Sequence, residues 1–98
     1  MIRLTPEAEA QIDSLIDHYE SRGRTEASRN LRAALISASD RVLKAPLKGL
    51  PAPRPYPTLV VPGRLWLKAG NYWIAYRPAP EPTIVAVFHE TANIPGRI

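Results

Sequence analysis

Ninety-eight residues with a formal charge of +4 and no cysteine allow one domain with a modest core, and rule out disulfides and thiolate metal sites. No apolar run is long enough to cross a bilayer and Met1-Ile2-Arg3 opens no secretory leader, so the expectation is a single cytoplasmic domain over residues 1–98. Charge is placed unevenly: Glu7, Glu9, Asp13, Asp17 and Glu20 face only Arg3 in the first twenty residues, whereas the remainder carries twelve Lys or Arg against four acids, about +8. That asymmetry points to an anionic partner for the later part, nucleic acid or an acidic polypeptide.

A short strand is expected at Ile2–Leu4. Thr5-Pro6-Glu7 then starts a helix: a capping hydroxyl, proline at the first helical position, and acid near the positive end of the dipole. Ala8, Ile12, Leu15, Ile16 and Tyr19 form its apolar stripe, and Gly23 ends it. Thr25-Glu26 opens a second helix with Ala27, Leu31, Ala34, Leu35, Ala38 and Val42 along one face, closed by Pro46 and Gly49. The short link predicts an antiparallel helical hairpin. Arg29, Arg32, Arg41 and Lys44 lie off the second stripe.

In the tract that follows, Pro51, Pro53, Pro55 and Pro57 occupy every second position. In an extended chain all four missing N–H groups fall on one side, so the tract reads as an edge strand that pairs inward and refuses a partner outward. "RLWLKAGNYWIAYR" reads as a hairpin about Gly70-Asn71, with Gly first as a type II′ turn requires. Its register sets Leu65 opposite Tyr76, Leu67 opposite Ile74, Trp66 opposite Ala75, Lys68 opposite Trp73 and Arg64 opposite Arg77. Leu65, Leu67, Ile74 and Tyr76 would face the helices. Arg64, Trp66, Lys68, Trp73 and Arg77 would face outward, with Lys68 and Trp73 placed for a cation–π pair. Like charges at Arg64 and Arg77 need compensation by a partner's acid, a phosphate or Glu90. Thr83 to Phe88 is apolar on both parities, as in a central strand. The sum is an α+β two-layer domain, a helical hairpin packed on three or four antiparallel strands.

Motifs of catalytic chemistry are few. His18 and His89 have no metal-ligand spacing, the glycines make no phosphate loop, and no nucleophile motif is present. No metal or cofactor and no small-molecule substrate is expected. His18 reads as a surface helix residue. His89, at the end of the central strand and read as lying beside the basic face, is the side chain best suited to proton transfer near neutrality.

Over nearly the whole chain, "LTPEAEAQIDSLIDHY", "LKAPLKG", "GNYWIAYR" and "IVAVFHETANIP" resemble the RelE/ParE toxins of bacterial type II toxin–antitoxin modules. The resemblance implies growth inhibition, a role in plasmid stabilisation, and neutralisation by a cognate antitoxin. RelE-like members cut mRNA on the ribosome; under that reading His89, Arg64, Lys68 and Arg77 would be the catalytic set. ParE-like members bind DNA gyrase and are not nucleases; under that reading Trp66, Trp73, Arg64, Arg77 and Arg97 would bind the target or the antitoxin. Trp66 and Trp73 fall where RelE-like toxins carry basic residues, and Thr91-Ala92-Asn93 lacks their tyrosine, so the likeness is closer to ParE. A member that has lost toxicity and only binds its antitoxin is a further alternative.

Overall fold

The computed structural model describes residues 2–92 and residue 94. Its elements are β1 (Arg3–Leu4), α1 (Pro6–Ser21), α2 (Thr25–Lys44), a 3₁₀ turn at Pro46–Lys48, then β2 (Leu65–Ala69), β3 (Tyr72–Arg77) and β4 (Thr83–His89). The α1 start follows from its sequence: the Thr5 hydroxyl accepts the Ala8 N–H at 3.2 Å, ahead of Pro6 and two glutamates in the first turn. Gly23, at φ +68°, ends it by a left-handed step. The chain reverses within residues 22–24 and α2 lies back beside α1.

The sheet order is β1-β4-β3-β2. The β2–β3 register is the expected one, from Leu65 opposite Tyr76 to Ala69 opposite Tyr72. Gly70 has φ +56° and Asn71, like every other described non-glycine residue, does not have positive φ, the signature of a type II′ rather than a type I′ turn. One pairing departs from the all-antiparallel expectation: β1 runs parallel to β4, through Arg3–Thr83 and Leu4–Ile84. The two helices, the proline tract and the β2–β3 hairpin all lie between β1 and β4 in the chain, a connection long enough for the crossover that a parallel pair requires. A bulge near Tyr76 leaves Val85 unopposed on β4.

Two apolar clusters flank the sheet. On the helix side, Leu67, Ala69, Tyr72, Ile74, Tyr76, Ile84 and Val87 pack against Ala8, Ile12, Tyr19, Leu31, Leu35 and Val42. On the other side, Trp66, Trp73, Ala75, Ala86 and Phe88 form a second cluster with Ile94, and Leu50, Tyr56 and Leu59 pack onto it. The proline tract supplies that cover, which corrects the edge-strand expectation. Only Leu50 pairs with β2, exchanging two 2.7 Å hydrogen bonds with Trp66. Beyond it the tract turns repeatedly, Tyr56 N–H to Pro53 C=O and Leu59 N–H to Tyr56 C=O, and buries Ala52 and Pro53. Proline fixes φ and removes donors but leaves ψ free, so a proline-dense chain can fold over a surface as readily as it can extend.

Candidate functional site

The expected docking face points away from the helices, as the register requires, but it is not open. Trp66 and Trp73 are 0% and 2% exposed. The ring of Trp66 stacks on Phe88 at 6.3 Å between centroids, and its Nε1 has no partner among the described residues. The cation over Trp73 is Arg54 of the proline tract, at 5.6 Å, not the cross-strand Lys68. The physical reason is area: two indoles and a phenyl on one sheet face present several hundred square ångströms of apolar surface, which the adjoining apolar chain removes from water.

The cations on this face are dispersed. β2 begins at Leu65, so Arg64 sits half-buried outside the ladder and has no register partner in Arg77, which is exposed. The like-charge pair therefore does not form. Glu90 pairs instead with Lys68, at 3.2 Å. Arg97 lies outside the described residues.

His89 is on the opposite side of the sheet from Lys68, a correction to its expected place beside the basic face. It stands across from Tyr72, with the ring edge-on at 5.4 Å between centroids. Its Nδ1 lies 2.8 Å from the Thr91 hydroxyl and 3.2 Å from the Thr91 backbone N–H, which ties the ring to the turn that follows β4. His89 and His18 both line one cavity of about 470 Å³ between α1 and the end of β4, with Gln11, Ser14 and Thr91. Sequence spacing gave no sign that the two histidines share a cavity, because they are brought together only by α1 crossing β4.

A second cleft, about 340 Å³, opens where α2 meets β2. Arg41, Lys44 and Lys48 rim it; Ala45, Leu67 and Tyr76 form an apolar floor. Arg41 Nη1 donates to the Lys68 carbonyl and the Tyr76 hydroxyl to the Pro46 carbonyl, each at 2.7 Å. Burial raises the Tyr76 phenol above its ordinary range, while a Gly49 backbone hydrogen bond and Arg41 pull it back. The sequence pattern marked Arg41 and Lys44 only as residues off the buried stripe. Their convergence with Lys48 depends on the 3₁₀ turn, which carries no such signal.

The family model for the ParE toxin of the type II toxin–antitoxin system, parDE, matches residues 2–93. The chain belongs to the ParE toxin family. No curated protein sequence matches it. Among solved structures, one described as the chromosomal ParDE toxin–antitoxin system from P. aeruginosa superposes with a TM-score of 0.63 at 19% identity, covering 91% of this chain and 96% of that one. At that identity the likeness speaks for the fold alone, a helical hairpin on a mostly antiparallel sheet. In this ParE-family chain His89 and Lys68 are separated by the sheet, and the indole face is interior. No group of three or more His, Cys, Asp or Glu able to hold a metal occurs among the described residues.

Proposed function

We propose that the chain is a growth-inhibiting toxin that acts by binding DNA gyrase rather than by cutting RNA, and that a cognate antitoxin holds it inactive. The observation that carries the reading is the separation of His89 from Lys68 and Arg77. His89 shares the helix side with Tyr72 and Val87; Lys68 and Arg77 follow the parity of Trp66 and Trp73 on the other side. Cleavage through a ribose 2′-hydroxyl needs a base, an acid and cations gathered on one phosphate. Placing the imidazole and those cations on opposite faces works against gathering them on a single phosphate. Gyrase as the target rests on ParE family membership, and such a target places the action in the cytoplasm; no described helix is long and apolar enough to cross a membrane.

The test is induction of the chain in growing bacteria with plasmid supercoiling and protein synthesis followed together. The expected result is trapped gyrase–DNA cleavage complexes and a growth defect that His89→Ala leaves intact. Codon-aligned mRNA cuts that disappear in His89→Ala would overturn it. Antitoxin binding without any growth defect would mark a member that has lost toxicity.

A further inference from the structure

His18 and His89 are the two histidines of the chain, and both line the cavity of about 470 Å³ between α1 and the end of β4. Tyr19, next to His18, shares a 2.6 Å hydrogen bond with Tyr72, which stands opposite His89 in the β3–β4 register. Each imidazole packs edge-on against its own tyrosine, at 5.9 Å for His18 with Tyr19 and 5.4 Å for His89 with Tyr72. Sliding α1 along the sheet at this end would break a buried hydrogen bond, so the two histidines are held at one place. His18 is exposed, which leaves its ring room to turn into the shared cavity.

The electrostatics of the cavity favour a cation. No Lys or Arg among the described residues lines it, and Arg24 is held instead over the Tyr19 ring at 5.2 Å. His18 sits in the last turn of α1, where the helix dipole presents its negative end, and that helix carries Glu7, Glu9, Asp13, Asp17 and Glu20. Such a field works against a phosphate and for a metal ion. The Thr91 hydroxyl, 2.8 Å from His89 Nδ1, leaves Nε2 as the nitrogen for a ligand.

We propose that His18 and His89 together bind one divalent first-row transition-metal ion that prefers imidazole, such as Zn²⁺, through His89 Nε2 and a ring nitrogen of His18. Thr91 is a positioning residue. The metal-bound ring carries its proton on Nδ1 and gives it to the Thr91 hydroxyl, which takes the place of the longer 3.2 Å contact with the Thr91 N–H. Water completes the coordination shell, and the Ser14 hydroxyl lines the same cavity to hydrogen-bond it. Two protein ligands make an open, exchangeable site rather than a closed structural one. Hard cations such as Mg²⁺ are not served, because no carboxylate lines the cavity. An ion so placed ties the last turn of α1 to the end of β4.

The full chain, free of any affinity tag, is titrated with Zn²⁺ alone while the imidazole C–H resonances are followed by proton NMR. Both rings are expected to shift with one common midpoint, and Mg²⁺ to move neither. Affinity measured by calorimetry should fall about tenfold or more in His18→Ala and in His89→Ala, and about tenfold in Thr91→Val. Zn²⁺ should raise the melting temperature of the parent chain and not of the two histidine variants, whose fold circular dichroism checks. Movement of one ring only, separate midpoints, an equal response to Mg²⁺, or a folded histidine variant that binds like the parent overturns the proposal. Should a variant fail to fold, the two midpoints in the parent chain decide alone. The titration needs no toxin activity, so its failure leaves the gyrase reading standing, and failure of the gyrase assay leaves the titration unaffected.

Discussion

The hydroxyls of Tyr19 and Tyr72, 53 positions apart in the chain, meet at 2.6 Å in the interior. The bond ties the last turn of α1 to the first residue of β3, so it fixes helix against sheet at the end of the domain where His18 and His89 also lie. Tyr72→Phe would leave the Tyr19 hydroxyl buried without its partner, at an expected cost of about 1–3 kcal/mol. Replacing both tyrosines by phenylalanine should cost less than the sum of the single changes, because neither ring then keeps an unpaired donor. Urea unfolding of the four proteins gives the comparison; strict additivity would show that the hydroxyls are not coupled.

The same pair predicts an alkaline limit to stability. Burial, reinforced by the hydrogen bond to Tyr19, raises the Tyr72 phenol well above its ordinary value of 10.0, and burial raises Tyr76 as well. Below the ordinary value both folded and unfolded chains keep these protons and the contribution is complete. Above it the unfolded chain releases protons that the folded chain retains, so stability declines as pH rises. The melting temperature should fall as pH rises past about 10. Tyr72→Phe should flatten that decline; an unchanged slope would show that Tyr72 is not its source.

Much of this fold was legible because its signals are local. Thr5-Pro6 caps a helix wherever it sits, Gly70-Asn71 fixes a turn and hence a register, and the parity of Leu67 and Ile74 follows from that register. What lies over the other sheet face was not legible. Parity assigns Trp66 and Trp73 to a side but says nothing about whether that side is wet, and alternate prolines suit both an edge strand and a folded cover. The decision is tertiary, made by the indole area that needs covering. His89 was misplaced for a related reason: residues 78–82 carry no turn signal that fixes the β3–β4 register, and the bulge at Val85 shifts the parity of everything after it.

If the proline tract is a true second-core cover, both tryptophans should behave as interior residues. Trp73→Ala should cost about 3–5 kcal/mol, against a change within about 0.5 kcal/mol for an exposed side chain. Acrylamide should quench the intrinsic fluorescence poorly until the chain unfolds. Efficient quenching of the native protein would mean that the tract does not hold the sheet face closed.

Two glycines should resist substitution for different reasons. A Cβ at Gly49 would press on the Tyr76 hydroxyl and lie 2.8 Å from Leu65 Cβ, although its φ of −67° suits any residue. At Gly23 nothing lies within 4 Å, but φ is +68°. Gly49→Ala should therefore cost about 1–3 kcal/mol by crowding, and Gly23→Ala about 1–2 kcal/mol by backbone strain. Tyr76→Phe should recover part of the first loss and none of the second. Recovery in both, or in neither, would count against crowding as the cause at Gly49.

The open side of β4 yields the last expectation. β1 pairs only with Thr83 and Ile84, and beyond it the Val87 N–H points away from β3. That donor is met by a side chain, Gln11 Oε1 at 2.8 Å, so α1 stands in for the missing strand. Gln11→Leu should leave the N–H unpaired, cost about 1–3 kcal/mol and speed hydrogen exchange at the Val87 amide. Gln11→Glu keeps an acceptor at the same reach and should restore protection. An unpaired edge is also a template for strand addition, so Gln11→Leu should self-associate at concentrations where the parent chain does not. Unaltered exchange at Val87 in Gln11→Leu would show that the edge is protected by packing rather than by this hydrogen bond.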